Sequence, residues 1–167
     1  MRRARFAAYP ASIMFSLRVG EVMERGKLAK AAPGMSVARA ARLMARKRVG
    51  AVLIVEGKRL SGIFTERDAL FRVIAEGRDA AATRLVDVMT RDPKSIDPRE
   101  SFGVALLAMH ENGFRHLPVV EEGVAIGIVS MRSALDPDLE EFRSEQERHR
   151  HIQRQKARAR EAPRERS

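Results

Sequence analysis

Residues 36 to 47, SVARAARLMARK, place Val37, Ala40, Ala41 and Met44 at helical spacing, with Ser36 set to cap the helix after Pro33-Gly34. Arginines fill the positions between, so the spacing predicts an amphipathic helix. The pattern then changes in VGAVLIVEGKRLSGIFT, two short apolar runs rich in β-branched residues on either side of Glu56-Gly57-Lys58. Such runs about a turn read as a β-hairpin. A second helix is predicted from about Glu66 to Ala75, stopping near Gly77. The same order then returns: a helix from Glu100 to Asn112 with Gly113 as its stop, a hairpin in HLPVVEEGVAIGIVS, and a last helix from Met131 onward.

The recurrence is a duplication. At an offset of 65 residues GIFTERD (62–68) falls on GIVSMRS (127–133), Ala40 on Ala105, Met44 on Met109, Val55 on Val120 and Glu56 on Glu121. Upstream the register shifts by one, and GEVM at 20–23 faces VDVM at 86–89. One copy of about 60 residues is marginal as a domain. Two copies related by a pseudo-twofold axis bury the apolar faces of their hairpins on each other. The expected organisation is a basic leader, 1–16, without fixed structure, a repeat at 17–78, a repeat at 83–140, and a charged tail, 141–167, that extends the last helix and then frays. Met23, Met44, Met89 and Met109 recur with the duplication and read as core.

Composition narrows the chemistry. The net charge of +10 suggests a polyanion binder until it is located. Residues 148–167 carry +6 and the first five residues +3, so residues 6–147 carry only +1. The basicity belongs to the ends. There is no cysteine, which excludes disulfides, thiolate metal sites and a cysteine nucleophile. His149 and His151 stand two apart in the polar tail, too few ligands for a metal, and His110 beside Met109 reads as a surface or packing histidine. The opening MRRARFAAYPASIMFSLRV is broken by Pro10 and Ser12, and Met14 is an alternative start, so it reads poorly as a secretory signal. No segment approaches the ~20 apolar residues of a membrane span, and a cytoplasmic location is expected.

The heptad at the end of each hairpin carries the candidate chemistry. Gly62 and Gly127 allow a close approach, and Thr65 and Ser130 stand where a strand turns into a helix, where a hydroxyl and backbone N–H groups can face an anion. Three residues on, Asp68 sets a carboxylate in the first turn of the helix, able to accept hydrogen bonds from a ligand, while its counterpart Ser133 is not an acid. The same Thr-x-x-Asp spacing also satisfies a helix capping box, in which Thr65 and Asp68 serve each other and no ligand. From the residues alone both readings stand.

An opening VMT-like segment, a helix with central alanine, an R-V-G-A or R-H-L-P strand and a closing G-h-h-[S/T]-x-x-D together resemble the CBS domain family, over residues 17 to 140. That resemblance implies an α/β (α+β) fold of two pseudo-twofold-related β-α-β-β-α repeats packed through their small sheets, a so-called Bateman module. It implies binding of an adenosine-containing ligand (AMP, ADP or ATP, with S-adenosylmethionine and NADH as further cases) and no required cofactor. By resemblance an intact cleft takes Thr65, Arg67 and Asp68 for ribose and phosphate, and Thr90, Asp92, Pro93, Lys94, Phe114, Arg115 and His116 around the base. A degenerate second cleft takes Lys27, Ala29, Val49, Gly50 and Ala51 with Ser130, Arg132 and Ser133, and lacks the ribose acid. The implied function is regulatory and not catalytic, and the chain carries no Walker loop, His-x-x-x-His pair or dinucleotide fingerprint. Expected partners are a second copy, through the helices at 36–47 and 100–112, and an effector protein. The alternative is an anionic or nucleic-acid partner held by the arginine-rich tail, with the paired repeats as a dimer platform.

Overall fold

The structure, a computed structural model, describes residues 16–131. The leader before Ser16, Arg132 and Ser133, the last helix beyond Met131 and the basic tail lie outside the described residues. In chain order the elements are α1 (Val19–Val22), β1 (Lys30–Ala31), α2 (Val37–Lys47), β2 (Ala51–Glu56), β3 (Arg59–Thr65), α3 (Glu66–Asp68) with a π-helical segment (Ala69–Ile74), α4 (Leu85–Val88), β4 (Thr90–Arg91), α5 (Phe102–Asn112), β5 (His116–Glu121) and β6 (Val124–Ser130).

Both predicted hairpins form. β2 pairs antiparallel with β3 around Gly57, whose φ of 63° suits a residue without Cβ, and β5 pairs antiparallel with β6. β1 lies parallel to β2, and the sheet runs β1-β2-β3-β6-β5 with β4 on β3. The two copies meet at Arg59 opposite Val124, positions that are equivalent in the duplication. An antiparallel strand pair has its dyad perpendicular to the sheet. The pseudo-twofold axis therefore carries α2 to α5 on the same face.

Alternation along β2 explains why its first five residues are apolar. Val52 and Ile54 enter a core with Val37, Ala40 and Met44 of α2, Phe64 of β3 and Val73 of the π-segment. Ala51 and Leu53 point the other way, joining Ile63 and, from the second copy, Ala125. A strand covered on both faces needs no polar positions. The first core also takes Leu85, Val88 and Met89, which belong to the sequence of the second copy. Conversely Glu24, just after Met23, bridges to Ile128 of β6, as Thr90 pairs with Ile63 of β3. Each copy lends its opening segment to the other, so the units of sequence and of packing are offset.

Two local features depart from expectation. The second helix is an α turn followed by π geometry, with Ala75 N–H bonded to the Leu70 carbonyl at 2.9 Å. Capping also differs between the copies. Ser101 accepts from Val104 N–H, whereas Ser36 makes no side-chain cap bond; α5 ends on Gly113 at φ 67°, and the equivalent position ending α2 is Arg48 at φ 55°. Left-handed backbone is strained for a residue with a Cβ.

Candidate functional site

The turn from β3 into α3 is organised by Asp68, a buried carboxylate. Its Oδ2 accepts from the Thr65 N–H at 2.8 Å and from the Thr65 hydroxyl at 2.7 Å, and the Asp68 N–H donates back to the Thr65 hydroxyl at 3.3 Å. Arg72, one turn on, stands 3.3 Å from Asp68 Oδ1 and donates to the Val88 carbonyl at 2.9 Å. The capping reading is therefore realised in full. Glu66 N–H is also committed, to the Gly50 carbonyl at 3.1 Å. The backbone donors expected to face an anion at this turn are largely occupied.

Gly62 and Gly127 have a reason other than ligand approach. A Cβ on Gly62 would lie 2.5 Å from Met89 Sδ and 3.1 Å from the Thr90 carbonyl oxygen. A Cβ on Gly127 would lie 2.5 Å from Met23 Sδ. The glycines admit the opening segment of the opposite copy, a methionine followed by the residue that pairs with the hairpin.

Asp68 also faces a cleft of about 500 Å³ between the copies. That volume falls within the usual range for small-molecule sites. Around it stand Thr65, Arg67 and Asp68 from the first copy, Thr90, Asp92, Pro93 and Lys94 from the β4 segment, and Phe114, Arg115 and His116 from the approach to β5. The structure thus gathers all ten residues assigned to the intact cleft. Sequence reasoning missed Ile63, Glu66, Arg72, Asn112 and Gly113, which also line it. Arg72 was legible as the i+4 partner of Asp68. Asn112 and Gly113 were read only as a helix end.

Two contacts close the cleft from opposite copies. Arg67 donates to the Gly113 carbonyl at 3.0 Å, and Arg115 stands 3.7 Å from Glu66. Lys94 Nζ donates to Asn112 Oδ1 at 2.7 Å. The cleft therefore concentrates cations with exposed, exchangeable partners at one end, while the one buried acid sits at the helix start. Asp92, at φ 41°, turns the chain from β4 into this wall, a backbone state that Asp tolerates.

The pattern of the whole chain matches a known one, for the family model of the CBS domain fits residues 19–75 and again residues 85–138. The chain belongs to the CBS-domain family. It is 38% identical over 122 residues, 66% of its length, to the meiotically up-regulated gene 70 protein of Schizosaccharomyces pombe, and spans only 17% of that relative. Among solved structures it resembles an uncharacterized conserved protein of Pyrococcus horikoshii at 28% identity and a TM-score of 0.68, covering 73% of this chain and 92% of that one. A CBS domain protein of Pyrobaculum aerophilum complexed with AMP shares the fold at 23% identity and a TM-score of 0.65, over 70% and 89% of the two chains.

In this CBS pair the residues assigned to a second cleft are differently placed. Ala29 and Ala51 are 1% and 5% exposed and pack into the two cores, so a ligand there would meet their backbone only. Val49 packs against the first core and Lys27 is exposed, its N–H held by Glu24 Oε1 at 3.0 Å. Gly50 sits against the first cleft as well, since a Cβ there would lie 3.2 Å from the His116 ring and 3.4 Å from Glu66. Ser130 ends β6 opposite His116. Arg132 and Ser133 lie outside the described residues.

His116 stands in the CBS cleft where its surroundings disfavour the charged ring. Burial pushes its imidazole below the ordinary value and Arg115 adds to this, with Glu66 opposing. The unfolded chain takes up a proton near pH ~6.5, where the native ring does not. Stability is thus fully present above that value and is lost as pH falls from there through the lower native value. Urea midpoints measured across pH 5 to 8 are expected to drop on the acid side, and His116→Gln should flatten the drop; an identical pH profile in the variant would exclude His116 as its source.

Among the described residues no helix is long and apolar enough to cross a membrane, and no group of three or more His, Cys, Asp or Glu is placed to hold a metal.

Proposed function

We propose that this CBS pair is a non-catalytic sensor that binds an adenosine-containing ligand, AMP, ADP, ATP or a related adenosyl compound, in the cleft around Asp68, and works as a homodimer that reports to an effector protein. The observation that carries the reading is the meeting of a buried, hydrogen-bonded carboxylate with several cations in one cleft of small-molecule size. Asp68 and Thr65 grip the ribose, Arg67, Lys94 and Arg115 hold phosphate, and Phe114 and His116 line the base. Binding needs a rearrangement. Asp68 Oδ2 already accepts two hydrogen bonds from Thr65, so the hydroxyl turns from the carboxylate toward the ligand and frees a lone pair for the ribose. Arg115 leaves Glu66 for phosphate at little cost, because that pair is exposed and its 3.7 Å separation is long.

A ligand held by both copies favours one relative orientation of them, and linkage transmits that bias. The test is the melting temperature with AMP, ADP, ATP, S-adenosylmethionine and NADH. A ligand at ~100 times its Kd adds about 2.7 kcal/mol and shifts the midpoint by several degrees. No shift with any of the five would retire the reading and leave Asp68 as a helix cap.

A further inference from the structure

We infer that the second copy docks head to tail, with α2 of one protomer lying against α5 of its partner. The inference rests on the proposal that the chain is a homodimer, and adds which surfaces meet. It comes from an asymmetry between two helices that the pseudo-twofold axis otherwise makes equivalent.

The outward face of α2 and its C-cap carries Arg39, Arg42, Arg46, Lys47 and Arg48 and no acid. Among the described residues none of these five side chains has a hydrogen bond or an ion pair. Between the cations the helix exposes only small apolar groups, Ala41 and Ala45. The segment from Glu100 through α5 has two acids, Glu100 and Glu111, and no Lys or Arg. Its outward face is made of large apolar groups, with Val104 48% and Leu107 55% exposed. A third surface belongs to the side of α2. The π-segment exposes Leu70, Phe71 and Ile74 by 50%, 59% and 69%, and its Val73 enters the same core as Met44 of α2.

A twofold dimer through this face of the sheet has two ways to assemble. Head to head, α2 meets α2, which brings five unpaired cations against five more, and alanine against alanine. The partner α5 helices then meet acid to acid and bulk to bulk. Head to tail, the cations of α2 meet Glu100 and Glu111, and Val104 and Leu107 sit over Ala41 and Ala45. The dyad repeats each of these contacts. Charge and volume select the same arrangement, and like-charge juxtaposition acts against the other. Exposed large apolar groups gathered on a helix face in this way mark an interaction face.

The absence of cysteine from the chain makes a direct test available. Ala41→Cys on α2 and Val104→Cys on α5 are made singly in the full chain, co-expressed or expressed alone, and treated with a short bis-maleimide. The expected result is a dimeric mass by light scattering and a cross-linked dimer in the co-expressed sample, about 10-fold above either variant alone, because equivalent positions lie far apart in a head-to-tail pair. Cross-linking of each variant with itself would overturn the orientation and leave the dimer standing, as would a dimeric mass with no cross-link in any sample. A monomeric mass would overturn both. Leu107→Asp is expected to raise the dimer Kd by about 100-fold, since it places a charge at the apolar centre of the contact.

Discussion

Asp68→Ala is expected to weaken adenosine-ligand binding by about 10- to 100-fold, a loss of roughly 1.4–2.8 kcal/mol from the ribose contacts. The magnitude follows from hydrogen bonds to a charged acceptor, which exceed neutral ones, less the cost of turning the Thr65 hydroxyl away. The same substitution strips the turn of its cap. Thr65 N–H loses its partner, and Arg72 keeps only the Val88 carbonyl. The unliganded protein should therefore also lose about 1–2 kcal/mol of stability, the usual cost of a missing cap. The two effects separate when affinity is measured by titration calorimetry well below both melting points. A variant that is less stable yet binds with unchanged Kd would show that Asp68 serves the helix alone.

Gly62→Ala and Gly127→Ala are each expected to cost about 1–3 kcal/mol, because the added methyl group enters space held by a buried methionine of the opposite copy. At Gly62 the obstruction is Met89 Sδ together with the Thr90 carbonyl, which is backbone and cannot swing aside; at Gly127 it is the Met23 side chain from Sδ back to Cβ. Each site joins the two copies, so the loss falls on their union and the melting transition should stay single. The decisive measurement is a double-mutant cycle with Met89→Ala. Removing the methionine makes room for the methyl group, so the double variant should cost less than the sum of the singles by about 1 kcal/mol or more. Strict additivity would mean that the methionine is not the obstacle.

These two sites teach different things about reading the chain. At Asp68 the residues alone left capping and ligand binding as alternatives, and the structure shows the cap and sets the same carboxylate beside a cleft. Thr65 occupies one carboxylate oxygen and Arg72 stands by the other, so the cap and a ligand compete for the same group. At Gly62 the repeated glycine was visible, but its cause was not. The methionine that demands it lies 27 residues further on and was known only as a recurring apolar position. Arg48 makes a similar point, since nothing in RKRVG announces a left-handed residue, whereas Gly113 signalled its own cap. The second cleft was implied by the family resemblance, and two of the residues assigned to it, Ala29 and Ala51, spend their side chains on packing.

The sequence by itself determined the duplication, the helix–hairpin order of each copy, the second helix of the first copy and the methionine core positions. These follow from local periodicity and from a repeat offset, both of which are written along one dimension. Only the tertiary structure decided that each copy lends its opening segment to the other, that Asp68 is capped by Thr65 and held by Arg72, and that Arg67 and Arg115 cross between the copies to close the cleft. It also decided which helix face stays apolar and which stays cationic once the cores are filled. Contacts between residues far apart in sequence depend on how the two copies twist onto each other, and one chain read in order carries no measure of that angle.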